Sequence, residues 1–277
     1  MSNSGILGFI LVIINVIVSY KGFTNQIFFD GYKFEVDAVL KRKDYKRLVS
    51  SGFLHVNWQH LVFNMFSLYV FSDNIELVLG NGIFLLIYFI SLIGGNLLSL
   101  LVHRHHGDYS AVGASGAVSG IIFAAIALQP SIGIGMFFIY IPGWLYGIVF
   151  VAVSIYGIKS QKDNIGHEAH LGGALVGMLA AIVCQPEVLR YNYIAILLIT
   201  VPAIIFIYLI ITKPHILLVD NLFVKNNLPY YTIDQKYNAE KKLEADTIDA
   251  ILDKINRHGI NSLSKREKDI LNTYSKR

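Results

Sequence analysis

The chain has 277 residues, of which 54% are hydrophobic and 15% charged, with a formal net charge of +4. Ordinary soluble domains carry about 25% charged residues, so this composition excludes a water-soluble globular body. Of 23 Lys and Arg, 12 lie in residues 213–277 and 7 in residues 21–47, which describes a polytopic membrane protein with one polar loop and a polar tail, without the basic face and interleaved aromatics of a nucleic-acid binder.

Apolar runs long enough to cross a bilayer are taken in chain order. The first covers 5–19; it lacks a basic flank and a small-residue cleavage site and reads as a retained helix. Residues 21–54 are polar, with Phe28, Phe29, Tyr32, Phe34 and Val36 interleaved, and part of this segment is expected on the membrane interface. The second span is expected over 58–78 and the third over 83–102. A short polar loop, 103–109, carries His103, His105 and His106; no acid or cysteine ligand accompanies them, so they read as solvated rather than metal-binding. The fourth span is 115–128. Residues 131–141 are apolar but broken by glycine and too short to cross. Pro142 suits the first turn of a fifth helix reaching 158, and the sixth and seventh spans are 169–184 and 194–211. The lone cysteine, Cys184, forms no internal disulfide and is expected to be a small packing residue.

Beyond 212 the composition changes. Residues 213–240 read as a linker. Ile248, Ile251, Leu252 and Ile255 recur at helical spacing, Gly259 is a stop, and Ser264 with Glu267 has capping-box spacing. A helical hairpin is therefore expected over 241–277, too small to be stable alone. The expected fold class is an all-α polytopic membrane protein: a six-helix bundle in domain 1–212, a seventh hydrophobic helix at 194–211, and a small helical tail.

Consecutive spans alternate direction, so spans two, four and six start on the same face. His60, Ser115 and His170 stand near those three starts. A serine hydroxyl becomes a useful nucleophile when a base takes its proton, and a histidine titrates near neutrality. No Asp or Glu lies at comparable depth, and Glu168 would point elsewhere on its helix, so a Ser115–His170 dyad is expected rather than a triad. The first N–H groups of the helix opening at Ser115 lack intrahelical acceptors and can face a developing oxyanion. His60 and Asn64, four apart, share a helical face and can add donors. Gly113 and Gly116 leave space around the serine; Gly173 and Gly177 let two helices approach closely. The string His167-Glu168-Ala169-His170 is one residue short of the zinc motif His-Glu-x-x-His, so no metal is expected. A transporter would show inverted repeats and broken helices with paired acids, and none is evident.

Three motifs, in this order on these helices, resemble the rhomboid intramembrane serine proteases over residues 40–185. His60 and Asn64 match His-x-x-x-Asn, Gly113 to Gly116 match Gly-x-Ser-Gly, and Ala169, His170, Gly173 and Gly177 match Ala-His-x-x-Gly-x-x-x-Gly. The resemblance implies a six-helix core with a water-filled cavity opening to the outer face. It also implies cleavage of transmembrane protein substrates near helix ends, in the lipid bilayer, without metal or cofactor. His55 and Glu76 match positions that organise the family's second helix and its loop. Two departures stand out: Ser119 replaces the aromatic residue common four positions after the serine, and Lys46-Arg47 replaces a Trp-Arg pair. The expected location is the bacterial inner (plasma) membrane, as a multi-pass protein. The alternative is a rhomboid-like protein that binds membrane helices without cutting them.

Overall fold

The computed structural model describes residues 5–136, 139–160 and 165–212, together with 251, 254 and 255 in the tail. Two compact units divide the chain, Met1–Asn227 and Leu228–Arg277. In the second, Ile251, Lys254 and Ile255 are helical; the remainder of the expected linker and hairpin lies outside the described residues.

The first unit opens with α1 (Ile6–Thr24), followed by α2 (Gln26–Tyr32), β1 (Phe34–Glu35), α3 (Val36–Leu40), α4 (Arg47–Ser50) and a single 3₁₀ turn, Ser51–Phe53. Then come α5 (Trp58–Leu79), α6 (Asn81–Val102), β2 (Ser110–Ala111), α7 (Ser115–Leu128), β3 (Gly133–Met136) and β4 (Ile139–Pro142). The unit ends with α8 (Gly143–Ser160), α9 (His167–Cys184) and α10 (Val188–Thr212). Among the described residues, six helices, α1, α5, α6, α8, α9 and α10, are long and apolar enough to cross a membrane. Their outward faces carry exposed large apolar side chains such as Ile10, Ile17, Phe66, Val153 and Ile205, the pattern lipid requires and water penalises.

The seventh helix differs. α7 has 14 residues, and Gly116 to Ala127 are all buried. At 1.5 Å per residue it runs about 21 Å, against a hydrocarbon core of about 30 Å. It is therefore shorter than that core is thick, and polar groups gather at its N-terminal end. Glycine allows this central position. A Cβ on Gly173 would fall 2.0 Å from the Gly116 carbonyl oxygen, and one on Gly177 would fall 2.1 Å from that of Gly120. On the opposite flank a Cβ on Gly95 of α6 would meet the Ala169 carbonyl at 2.5 Å. α9 is thus wedged between α6 and α7 at backbone-to-backbone distance, the arrangement small residues permit where no hydrophobic effect drives association.

The polar segment 21–54 holds short folded elements: Asn25 caps α2 through its side chain, and β1 pairs antiparallel with β2, Phe34 opposite Ala111. Two sequence expectations are corrected. β3 (Gly133–Met136) pairs antiparallel with β4 (Ile139–Pro142), so Pro142 closes a strand instead of opening α8. Cys184 is exposed, as the last residue of α9, and not packed.

Candidate active site

The turn that leads into α7 is held by hydrogen bonds to the 3₁₀ turn and the segment after it. Ser115 is the first residue of α7, and Gly113 precedes it at φ +132°, a region open to glycine. The Gly113 N–H donates to the Ser51 carbonyl at 3.0 Å. A Cβ on Gly113 would lie 2.7 Å from Cε1 and 2.9 Å from Nε2 of His60, and 3.7 Å from Ser115 Oγ. The missing side chain is therefore the space in which the His60 imidazole and the Ser115 hydroxyl share one hollow. Asn57 caps α5 by accepting from the His60 N–H at 2.8 Å, and Asn64 is buried with one amide hydrogen donated to the His60 carbonyl.

Behind Ala114 a short relay fixes a tautomer. The Ala114 N–H donates to His55 Nε2 at 3.4 Å, so Nδ1 carries the proton and donates to Ser19 Oγ at 2.8 Å, and the Ser19 hydroxyl donates to the Phe53 carbonyl at 2.9 Å. Burial, with a smaller contribution from the charge of His60, pushes His55 down to about 3. The unfolded chain, with His55 near 6.5, takes up the proton first. Stability is accordingly full above that value and lost as pH falls from 6.5 toward 3. Thermal unfolding in detergent across this range should show that loss in the wild type and a shallower one in His55→Gln; equal slopes would refute the relay.

His170 is the fourth residue of α9. A Cβ on Gly116 would sit 3.4 Å from the Ala169 carbonyl, so the residue after Ser115 and the residue before His170 lie in backbone contact. Ser115 and His170 are each half-buried, on helices whose inner faces are otherwise closed. With Ser119 where an aromatic ring would stand, the ring beside His170 comes from α8: the Phe150 centroid is 6.3 Å away, itself packed on Phe123 at 5.0 Å. His167 packs over Gly157 and lies 6.1 Å from His170, edge to face.

The loop histidines are not all solvated. His103 is buried, stacked on Tyr109 at 3.6 Å, with Nε2 2.8 Å from Glu168 Oε1; the Tyr109 hydroxyl donates to the same oxygen. An acid in the first turn of an intramembrane helix was the signal that could have found this cluster in the sequence. Arg47 is buried too, bonded to Asp44 Oδ2 at 2.9 Å and to the Asp30 and Lys33 carbonyls. Its guanidinium holds the Asp44 carboxyl below the usual range. Glu76 accepts from the N–H groups of Leu7 and Gly8 and so caps α1 onto α5.

These features define an integral multi-pass helical membrane protein with a polar hollow at the N-terminal ends of a short central helix and its glycine-packed neighbour. The family model described as Rhomboid domain matches residues 42–187, and the chain belongs to the rhomboid family. A second model, described as a family of unknown function (DUF6576), matches residues 231–277. The chain is 30% identical over 191 residues to "RHOMBOID-like protein 12, mitochondrial" of Arabidopsis thaliana, covering 63% of this chain and 56% of that one. It is 30% identical over 204 residues to "Rhomboid protease AarA" of Providencia stuartii, covering 63% and 70%. It is 28% identical over 176 residues to "Rhomboid protease GluP" of Bacillus subtilis, covering 64% and 32%. The chain spans about half the length of several curated relatives it matches.

Proposed function

We propose that this chain is an intramembrane serine endopeptidase that cuts transmembrane segments of other membrane proteins, residues 1–212 being the protease domain and 241–277 an appended helical hairpin. The observation that carries the reading is the backbone contact between Gly116 and Ala169, which adjoins Ser115 and His170, beside a hollow shared with His60. Two relatives are named as rhomboid proteases, which supports it. Those named above come from mitochondria and from bacteria, so they favour no single membrane, and the bacterial inner membrane gains no support from them.

Ser115 Oγ attacks the scissile carbonyl carbon as His170 takes its proton. The oxyanion rests on the Ser115 N–H, free at the first helical position, and on His60 and the second amide hydrogen of Asn64. The C–N bond breaks as His170 gives the proton to the departing amine. Water then attacks the acyl ester, losing its proton to His170, which returns it to Ser115 Oγ as the carboxylic product leaves. The substrate helix must unwind at the cut, and helix-breaking residues there lower that cost. Removing one oxyanion donor costs about 2.7–4 kcal/mol of barrier, so Asn64→Ala should lower kcat about 10²–10³-fold with little change in KM, read from initial rates.

The test is reconstitution of the full chain in liposomes with a tagged single-span reporter. Two fragments, with the cut inside or at the edge of the span, are expected. A reporter that co-purifies uncut would overturn the enzyme reading in favour of a helix-binding protein.

A further inference from the structure

The first turn of α9 addresses a different element with each residue. His167 packs on Gly157 of α8, and Ala169 places its carbonyl against Gly95 of α6 and Gly116 of α7. His170 faces Phe150. Glu168, 5% exposed, turns to the 103–109 loop, where His103 and Tyr109 both donate to its Oε1. The Tyr109 hydroxyl also lies over the helix start, 3.7 Å from where a Cβ on Gly166 would be.

That loop is anchored on both sides. The Val36 N–H donates to the Tyr109 carbonyl at 3.1 Å and the Asp37 N–H to the Gly107 carbonyl at 2.9 Å. Phe34 meets Tyr109 edge-on, and β2 extends the same segment antiparallel to β1. From Ala111 the chain runs four residues to Ser115. One loop therefore ends at the nucleophile and grips, through Glu168, the helix that carries the base.

We propose that Glu168 is a positioning residue: its carboxylate, seated between His103 and Tyr109, sets the rotation and height of α9 so that His170 meets Ser115. The proposal rests on the serine-protease reading above. Packing by glycine alone leaves a helix free to slide or turn, since backbone contacts carry no directional lock; two hydrogen bonds to one buried carboxylate oxygen supply it. Because displacement by about 1 Å can cost a hundredfold in rate, the effect of losing the seat falls on the chemical step and not on substrate binding.

The experiment measures kcat, KM, fluorophosphonate labelling rate and melting temperature for the full chain in proteoliposomes. Glu168→Ala is expected to lower kcat and labelling about 10–100-fold with KM within about twofold. Glu168→Gln, which keeps an oxygen able to accept from both donors, restores most of kcat. Tyr109→Phe, which deletes one atom and preserves the stack on His103, is expected to lower kcat by less than Glu168→Ala, and it carries the test should Glu168→Ala fail to fold. A wild type that cuts while Glu168→Ala or Tyr109→Phe cuts equally well overturns the proposal alone, as does an equal loss in Glu168→Gln and Glu168→Ala. A wild type that neither cuts nor labels overturns the protease reading, and the proposal with it.

Discussion

Ser115→Ala and His170→Ala should each reduce cleavage of a reporter span at least about 10⁴-fold while leaving the fold intact. Without the hydroxyl no acyl ester forms; without the imidazole the hydroxyl keeps its proton and the amine leaves unprotonated. Neither change disturbs packing deeply, because both side chains are half-buried at helix starts. The two losses should be far from additive, since the groups act as a unit: the double variant should be about as slow as either single one. Initial rates in proteoliposomes, with melting temperature as the control for folding, measure this. Near-wild-type cleavage by either single variant would refute the assignment.

Gly173→Ala should have a large effect of a different origin. Its Cβ would stand 2.0 Å from the Gly116 carbonyl oxygen and 3.0 Å from Gly116 Cα, whereas relaxed carbon contacts need about 3.5–4.0 Å. α7 and α9 must move apart by roughly 1 Å or more, and Ser115 and His170 ride on the separating segments. Overpacking of this kind costs about 1–3 kcal/mol of stability, and a 1 Å misplacement costs about a hundredfold in rate. Activity should therefore fall about a hundredfold in protein that is still folded. Gly82→Ala is the matched control: it lies in α6, a Cβ there meets nothing within 4 Å, and alanine favours the helix by about 1 kcal/mol. A Gly173→Ala protein as active as Gly82→Ala would show that the helices have slack.

The spans were legible because an uncharged apolar run near 20 residues matches the thickness of a bilayer and little else, and span parity brought His60, Ser115 and His170 to one face. The packing role of Gly173 and Gly177 was legible from their four-residue spacing. What stayed hidden depends on contacts between distant residues. The β1–β2 ladder is two residues long and pairs positions about 75 apart, so it leaves no periodic trace. His103 sits among polar neighbours and reads as solvated; its burial follows from Glu168, 65 residues on. Phe150 occupies the place beside His170 from a different helix than the position of Ser119 would suggest. The strand Gly133–Met136 did carry a trace, the alternation Gly-Ile-Gly-Met, weakened by glycine where a strand prefers bulk.

The most direct measurement of whether His170 activates Ser115 is labelling of the full chain by a serine-directed fluorophosphonate, followed by peptide mapping. Labelling is expected to be confined to the peptide containing Ser115, absent in Ser115→Ala and slowed at least about a hundredfold in His170→Ala. Unlabelled wild type in an actively cutting preparation, or a His170→Ala protein that labels at the wild-type rate, would contradict it.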